Sequence, residues 1–214
     1  MKTGSIACSL ATAFAGIIFT STASHAATAA VTVNTAGTPV TNTGDWAAGW
    51  EFTVSTSIQV THLGKFDYEN NGIVGTDVGL YNRTTGGTLL ATVSLVGASS
   101  EAAGAYNAFY TALGASVTLT PGNTYVIAAV SDGPGEAIFW DNDNNATYGA
   151  AINYSRGIAT SGASLPATWT SNSPALAGNS YGYLGGTFKF DTVPEPSAAL
   201  LGGLGLLALL RRRR

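Results

Sequence analysis

The chain has 214 residues, 27 of them glycine, with 10% charged residues and a formal net charge of −3. A typical soluble domain is about a quarter charged, so this composition excludes a coiled coil or a charged helical bundle. The glycines follow no three-residue period, which excludes collagen, and the 10% aromatic content argues against a disordered chain.

The N-terminal residues 1–26 have the three parts of a secretory signal peptide, which we expect to be helical. Lys2 supplies a positive start, residues 6–19 carry no charge, and small residues precede a predicted cleavage between Ala26 and Ala27. The uncharged stretch is too short for a stable membrane span. Cleavage would remove Cys8, so the mature chain could form neither a disulfide nor a thiolate metal site.

Residues 27–192 are predicted to form one domain that is more acidic than the whole chain. Its four basic residues, Lys65, Arg83, Arg156 and Lys189, face eleven acidic residues, which gives a net charge near −7. Scattered cations cannot form the basic stripe that binds phosphates, so we expect no nucleic-acid partner. His62 is the one histidine left in this domain, and we interpret it as a strand residue rather than a catalytic base.

Short alternating or β-branched runs between turn signals predict strands along this domain. The runs are Trp50–Val54, Ile58–Leu63, Asp77–Tyr81, Thr88–Leu95, Ser116–Leu119, Thr124–Val130, Ala137–Trp140, Ala151–Tyr154 and Tyr181–Phe190. Residues 102–113 are the one helix candidate, although a loop or strand fits equally well, and residues 142–177 are expected to form extended surface loops. The sequence therefore predicts an all-β fold, an antiparallel β-sandwich or jelly roll of about eight to ten strands.

Four segments of the domain also carry a resemblance. Residues 49–54, 63–67, 78–81 with 87–91, and 119–126 occur in an order similar to that of an uncharacterised β-rich domain of exported bacterial proteins. The resemblance spans roughly residues 35–190 and implies no activity. Each segment also has a structural interpretation, with Trp50 and Phe52 in the core and Gly64 and Gly79 at close-packing strand positions.

The most chemical-looking stretch of the domain is the Asx-rich run of residues 141–145. Asp141, Asp143 and Asn145 are spaced like the first ligands of a calcium loop. Ala146 stands where an EF-hand needs glycine, and Ile152 where it needs a bidentate acid, so an EF-hand is excluded. A looser calcium site and a plain Asx turn stay open as alternatives, and no other cofactor is expected.

Exposed aromatic rings offer a route to carbohydrate binding, because sugar rings stack on them. Trp140 lies beside the Asx-rich run, and Trp169 lies in a polar segment. We predict both as glycan-binding residues, with burial in the sandwich core as the alternative for each.

The C-terminus is a separate module, predicted to cover residues 193–214. Val193, Pro194, Glu195 and Pro196 precede residues 197–210, a short uncharged span. Fourteen helical residues would extend about 21 Å, less than the ~30 Å hydrocarbon core, so membrane association would involve mismatch. The terminal basic cluster, Arg211, Arg212, Arg213 and Arg214, would act as a membrane stop on the cytoplasmic side.

This order of features resembles the PEP-CTERM sorting signal of Gram-negative bacteria. Residues 194–196, the short apolar span and the arginine cluster match that signal's three parts in order. The resemblance implies recognition by exosortase, a membrane protease-transpeptidase, and removal of the tail at or near the motif. It also implies transient association with the inner membrane, export to the cell surface or matrix, and a host that makes extracellular polysaccharide.

The sequence as a whole predicts an exported protein without enzymatic activity, processed at both ends. Its expected role is structural or polysaccharide-interacting in the cell surface or biofilm matrix. Two alternatives are a secreted glycan-active hydrolase and a passive adhesion or matrix protein with no sugar site. The acidic residues do not distinguish them, since any eleven acids contain some pair at the spacing of a glycosidase.

Overall fold

The computed structural model describes residues 26–35, 39–41, 45–68, 72–73, 75–130, 137–139, 146–169 and 184–193. Its strands are β1 (Thr28–Ala29), β2 (Val31–Val33), β3 (Pro39–Thr41), β4 (Trp46–Val54), β5 (Ile58–Asp67), β6 (Asp77–Asn82), β7 (Thr88–Ser94), β8 (Ser99–Ala102), β9 (Asn107–Leu119), β10 (Thr124–Val130), β11 (Ala137–Phe139), β12 (Ala146–Tyr148), β13 (Ile152–Ser161) and β14 (Gly186–Thr192). The predicted signal and C-terminal helices lie outside the described residues.

The strands form an antiparallel β-sandwich, as the alternating sequence pattern predicts. The first sheet has the order β1-β14-β5-β9-β8, and the second has the order β13-β4-β10-β6-β7. Two short ribbons, β11-β3 and β12-β2, complete the described strand pairs. Their partners are far apart in the sequence, so the fold depends on long-range pairing rather than on hairpins alone.

The main core lies between the two sheets and is rich in aromatic rings. Trp50 and Phe52 on β4 are fully buried, as predicted, and the Phe188 ring on β14 stacks on both at centroid distances of 6.0 and 5.1 Å. The Trp50 Nε1–H donates to the Gly186 carbonyl at 2.7 Å, which satisfies the one polar atom of the indole. Trp50 thus joins the second sheet to the first by packing and by a hydrogen bond.

Two glycines lie at close-packing strand positions, as the sequence predicts, one against a neighbouring strand and one against the segment that covers the second sheet. A Cβ at Gly64 on β5 would lie 2.4 Å from the Phe109 carbonyl oxygen, and one at Gly79 on β6 would lie 2.9 Å from Leu165. Neither space accommodates a methyl group without movement of its neighbours.

The second sheet is also covered on its outer face. Ala47, Tyr81, Val126, Ala128, Ile158 and Trp169 form a second buried group, here called the outer cluster, with Leu89 and Leu165 packed against it. Residues 162–169, which follow β13, therefore fold back over the sheet. This cover explains why β10 is buried along nearly its whole length instead of on alternate residues.

Two expectations about chain segments need correction or resolution. Residues 107–119 form the long strand β9, so the helix alternative for residues 102–113 is wrong. Residues 107–113 are strand, and Ala102 is the last residue of β8. Residues 152–161 form β13, so the expectation of loops throughout residues 142–177 is wrong there. Small residues such as Ser155 and Gly157 weaken the strand signal of β13, whereas pairing with β4 over its whole length compensates.

Candidate functional site

The sorting segment begins directly at the end of a paired strand. β14 lies between β1 and β5, and its last residue, Thr192, pairs with Ile58. The Val193 N–H donates to the Ser57 carbonyl at 3.1 Å, which extends the hydrogen bonding by one residue. Val193 is thus fixed to the turn between β4 and β5, while the predicted motif residues Pro194, Glu195 and Pro196 lie outside the described residues.

The start of the predicted mature chain lies beside this junction. β1 runs antiparallel to β14, with Thr28 opposite Phe190. Ala26 and Ala27 precede β1 and therefore lie toward the end of the sheet at which β14 finishes. The two predicted processing positions are brought together on neighbouring strands at one end of the first sheet, although signal cleavage itself stays a prediction.

Most of the predicted ligand-binding residues fall outside the described part of the chain. Trp140, Asp141, Asp143 and Asn145 all lie there, so the calcium and Trp140 predictions stay predictions. The cluster Arg211, Arg212, Arg213 and Arg214 also lies there, as does the apolar span 197–210.

Trp169 is described, and its predicted exposure is wrong. Its side chain is 1% exposed and belongs to the outer cluster. The ring meets Tyr81 edge-on at a centroid distance of 5.5 Å. The backbone N–H of Trp169 donates to the Gly87 carbonyl at 2.8 Å. A buried ring offers no face to a sugar, so the structure assigns Trp169 to packing.

Tyr81 attaches the covering segment, residues 162–169, to the second sheet. Its hydroxyl donates to the Pro166 carbonyl at 3.0 Å, and burial raises the pKa of Tyr81 to about 12. Gly87 adopts a φ of +76°, and a Cβ there would lie 2.3 Å from the Trp169 carbonyl oxygen. Only glycine fits both the left-handed conformation and the close approach at this position.

Sequence reasoning missed a cluster of opposite charges on the outer face of the second sheet. Glu51 on β4 accepts from two arginines at a single oxygen, Oε2. Arg83 Nη1 lies 3.1 Å from it and Arg156 Nη2 lies 3.3 Å from it. Two of the four basic residues between the ends of the chain therefore converge on one carboxylate.

A β-bulge places Arg156 in this cluster. The pairing of β13 with β4 shifts between Tyr154 and Arg156, so Ser155 is the extra residue and Arg156 lies opposite Glu51. Bulges of this kind redirect a side chain to the other face of a sheet. Tyr154 packs against the main core, whereas Arg156 lies on the outer face with Glu51.

A shallow polar depression adjoins the cluster. Glu51, Arg83, Thr84 and Thr124 line it, and its volume is about 130 Å³. The Thr124 N–H donates to Thr84 Oγ1 at 2.8 Å, and the Arg83 N–H donates to the Thr124 carbonyl at 2.8 Å. These backbone contacts hold the lining in place, and the volume is below the ~300–1,000 Å³ of typical small-molecule pockets.

The cations of the first sheet are arranged differently. Lys189 forms an ion pair with Glu101, and its Nζ lies 4.5 Å from the centre of the Tyr110 ring. Burial raises the pKa of Tyr110 to about 12, with a smaller contribution in the same direction from the Glu101 charge. Lys65 is 2% exposed. These groups serve packing and pairing within the sheet.

Other candidate chemistry in the described residues is structural in character. His62 is half-buried on β5, with Nδ1 2.9 Å from Thr61 Oγ1. In the part of the chain that the structure describes, no three His, Cys, Asp or Glu side chains are grouped as a metal site would require. No helix there is long and apolar enough to cross a membrane.

Comparison with known proteins identifies the C-terminal segment. The family model for the PEP-CTERM protein-sorting motif matches residues 192–214. No curated protein and no solved structure matches the chain, so the resemblance of the domain to an uncharacterised family stays an expectation. The motif implies an exported protein that exosortase processes and that is sorted through the membrane to the cell surface.

Proposed function

We propose that the sandwich is the cargo of this sorting signal and acts, without catalysis, as a structural or polysaccharide-interacting part of the cell surface. The observation that carries the proposal is the continuity of β14 with the sorting motif. The matched residues 192–214 begin while the chain is still paired with β5. Whatever happens to the tail therefore determines where the folded domain stays.

The described polar groups support a role without catalysis. Arg83 and Arg156 both contact Glu51 through its Oε2 atom. This carboxylate therefore serves as a counter-ion that joins β4 to β13 and to the residue after β6. His62 lies in the middle of a paired strand beside Thr61. Each group has a structural partner, which favours binding or scaffolding over hydrolysis. A secreted glycan hydrolase remains the alternative that the experiments below distinguish.

The proposal includes the finer features that the sequence predicts. These are an inner membrane of a Gram-negative host, transient membrane association through residues 197–210, and delivery to a polysaccharide matrix. Trp140 remains the predicted stacking residue, and calcium at Asp141, Asp143 and Asn145 remains the predicted ion.

The sorting step is tested by two variants of the full chain in its host. The double variant P194A/P196A keeps the apolar span and the arginines, whereas deletion of residues 194–214 removes them all. We expect mass spectrometry to show a shortened C-terminus for the parent protein, an intact membrane-bound tail for the double variant, and soluble release of the deletion variant. An identical C-terminus and location for the parent and the double variant would contradict the proposal.

The role of the domain is tested with polysaccharide from the host surface. The processed protein is expected to co-sediment with it and to leave its reducing-end content unchanged. Release of new reducing ends would favour the hydrolase, and absence of co-sedimentation would favour a passive matrix protein.

A further inference from the structure

We infer that one edge of the sandwich, formed by β7, the turn that follows it and β9 and here called the uncharged edge, is a surface through which two copies of this chain associate. The two β7 strands lie antiparallel to each other across a two-fold axis at Thr92. This inference goes beyond the proposed function and holds whether or not the domain binds polysaccharide.

The distribution of charge favours a second copy as the partner at this edge. Residues 84–130 contain a single charged side chain, Glu101, although residues 27–192 as a whole carry four basic and eleven acidic ones. Glu101 forms an ion pair with Lys189, so its charge is balanced within the same copy. Two copies with a net charge near −7 repel each other in most orientations. This repulsion is smallest when their uncharged edges face each other, and interface cores are likewise depleted of charged residues.

β7 lacks the features that keep the other sheet edges from pairing. Edge strands are usually protected by charged side chains, by proline or by short length. At the edges of the first sheet, β1 has two residues, and β8 has four and carries Glu101. At the opposite edge of the second sheet, β13 carries Arg156. β7 has seven residues with neither a charge nor a proline, and beyond a bulge at Leu90 its residues 91–94 pair regularly with β6.

The backbone of β7 fixes the register of this association. The Leu95 N–H donates to the Thr76 carbonyl at 2.9 Å, and the backbone groups of successive strand residues point to alternate sides. The N–H and C=O of Thr92 therefore face away from β6. A two-fold axis at Thr92 lets each copy donate its Thr92 N–H to the Thr92 carbonyl of the other. In that register Ala91 lies opposite the partner's Val93, so the neighbouring pairs are apolar.

The middle of β7 is the stretch of this side that is open in the described residues. At one end Thr88 bridges to Thr168, and at the other the Thr111 hydroxyl donates to the Ser94 carbonyl at 3.4 Å. Thr92 lies between these two contacts and is exposed. The open stretch is therefore centred where a two-fold axis can pass.

The main core is incompletely closed along the same edge. Most of the half-buried apolar side chains that pack against this core belong to β7, the following turn and β9, among them Leu90, Val93, Leu113 and Val117. Val96, in that turn, is 75% exposed, more than any other large apolar side chain in the described residues. A second copy at this edge removes such side chains from water, and this gain offsets the entropy lost on association.

The test uses the processed protein recovered from its host. Sedimentation velocity over a range of protein concentrations is expected to show a monomer–dimer equilibrium. T92K places two like charges side by side at the axis, so we expect it to weaken dimerisation about tenfold. The matched control is S161K, which replaces an exposed hydroxyl residue on β13, at the opposite edge of the same sheet. It adds the same charge and should leave dimerisation unchanged.

The register is tested by cross-linking, since residues 27–192 contain no cysteine. Residues that face each other as a hydrogen-bonded pair have Cα atoms about 5.5 Å apart, within the range of a disulfide. T92C is therefore expected to form an intermolecular disulfide on oxidation, whereas S161C should stay monomeric on a non-reducing gel. A thermal unfolding midpoint close to that of the parent protein confirms the fold of T92K, and T92C provides the second measurement if that variant does not fold.

Three results would overturn the inference. These are a monomer at all concentrations, equal weakening of the dimer by T92K and S161K, and equal cross-linking of T92C and S161C. A monomer that binds neutral polysaccharide through a T92K-sensitive surface would also overturn it, and the proposed polysaccharide interaction would then stand alone. T92K-sensitive dimers that do not co-sediment with polysaccharide would support the inference and contradict the polysaccharide interaction.

Discussion

Trp169 gives the sharpest test of how the outer face is built, because its burial contradicts a role in sugar stacking. We expect W169A to destabilise the protein strongly. A buried Trp removes about 150–250 Å² from water, which at about 25 cal/mol/Å² corresponds to an upper value of about 4–6 kcal/mol. Measured Trp-to-Ala changes in cores cost about 3–5 kcal/mol. Since whole domains are stable by about 5–15 kcal/mol, the variant is expected to lose much of its stability.

The matched control is W169F, which keeps an aromatic ring against Tyr81. In the part of the chain that the structure describes, the Trp169 Nε1 atom has no hydrogen-bond partner, so its removal breaks no contact there. The Phe ring is smaller, and we expect a cost of about 1–2 kcal/mol from the remaining space.

The assay is urea unfolding of the purified full chain followed by far-ultraviolet circular dichroism, with the free energy of unfolding extrapolated to water. Far-ultraviolet detection avoids the loss of the Trp169 fluorescence signal in the variants. A destabilisation of W169A below about 1 kcal/mol would refute the packing argument. Loss of polysaccharide binding at unchanged stability would instead restore the stacking role that the structure argues against.

Two further predictions concern packing and alkaline pH. G64A should cost about 1–3 kcal/mol of unfolding free energy, because the added Cβ meets the Phe109 carbonyl oxygen. The control G114A adds a Cβ with nothing within 4 Å and should be near neutral. Equal effects of the two variants in urea unfolding would contradict this. Tyr81 and Tyr110 have folded pKa values raised to about 12 against 10.0 for the free phenol. Between these values only the unfolded phenols lose protons, so stability is complete below about pH 10 and falls as the pH rises toward 12. Absorbance titration near 295 nm should show late ionisation of two tyrosines, one fewer in Y110F, and ordinary titration of all tyrosines would contradict the assignment.

Alternation along strands with one buried face makes the sandwich predictable from sequence. Trp50 and Phe52 alternate with polar neighbours and fill the core, and the turn after Leu119 separates two strands as expected. The run Ala151–Tyr154 predicts only the start of β13; the rest of that strand escapes detection because it is rich in small residues whose strand conformation comes from pairing with β4. Propensity is weak wherever tertiary pairing determines the backbone.

The outer cover was detectable in principle from β10. Residues 125–130 form an unbroken run of apolar and aromatic side chains, and such a run indicates a strand buried on both faces. That interpretation requires a cover for the outer face and so favours burial of a nearby Trp. Which segment supplies the cover depends on the chain path after β13, which no local pattern in residues 162–169 specifies.

The charge cluster was not predictable in the same way. Arg83 and Arg156 are far apart in the sequence. Arg83 follows β6, which lies one strand beyond β10 from β4, and Arg156 is on β13, which adjoins β4 on the other side. Both therefore reach Glu51 on β4 only because of this strand order. The bulge at Ser155 then decides the face on which Arg156 lies. A one-residue change of register would place Arg156 toward the core, so the site depends on a register that the sequence of β13 does not specify by itself.

The depression and the sorting junction lie toward the same end of the sandwich. β4 carries Glu51 near its C-terminal end, and the turn that follows supplies the Ser57 carbonyl to Val193. Thr124, at the start of β10, pairs with Thr53 in the same region. Under the proposed transient association of the tail with the membrane, this end is the one nearest to the lipid headgroups. Under the proposed sorting step, processing at the motif then decides how far this end of the sandwich lies from the membrane.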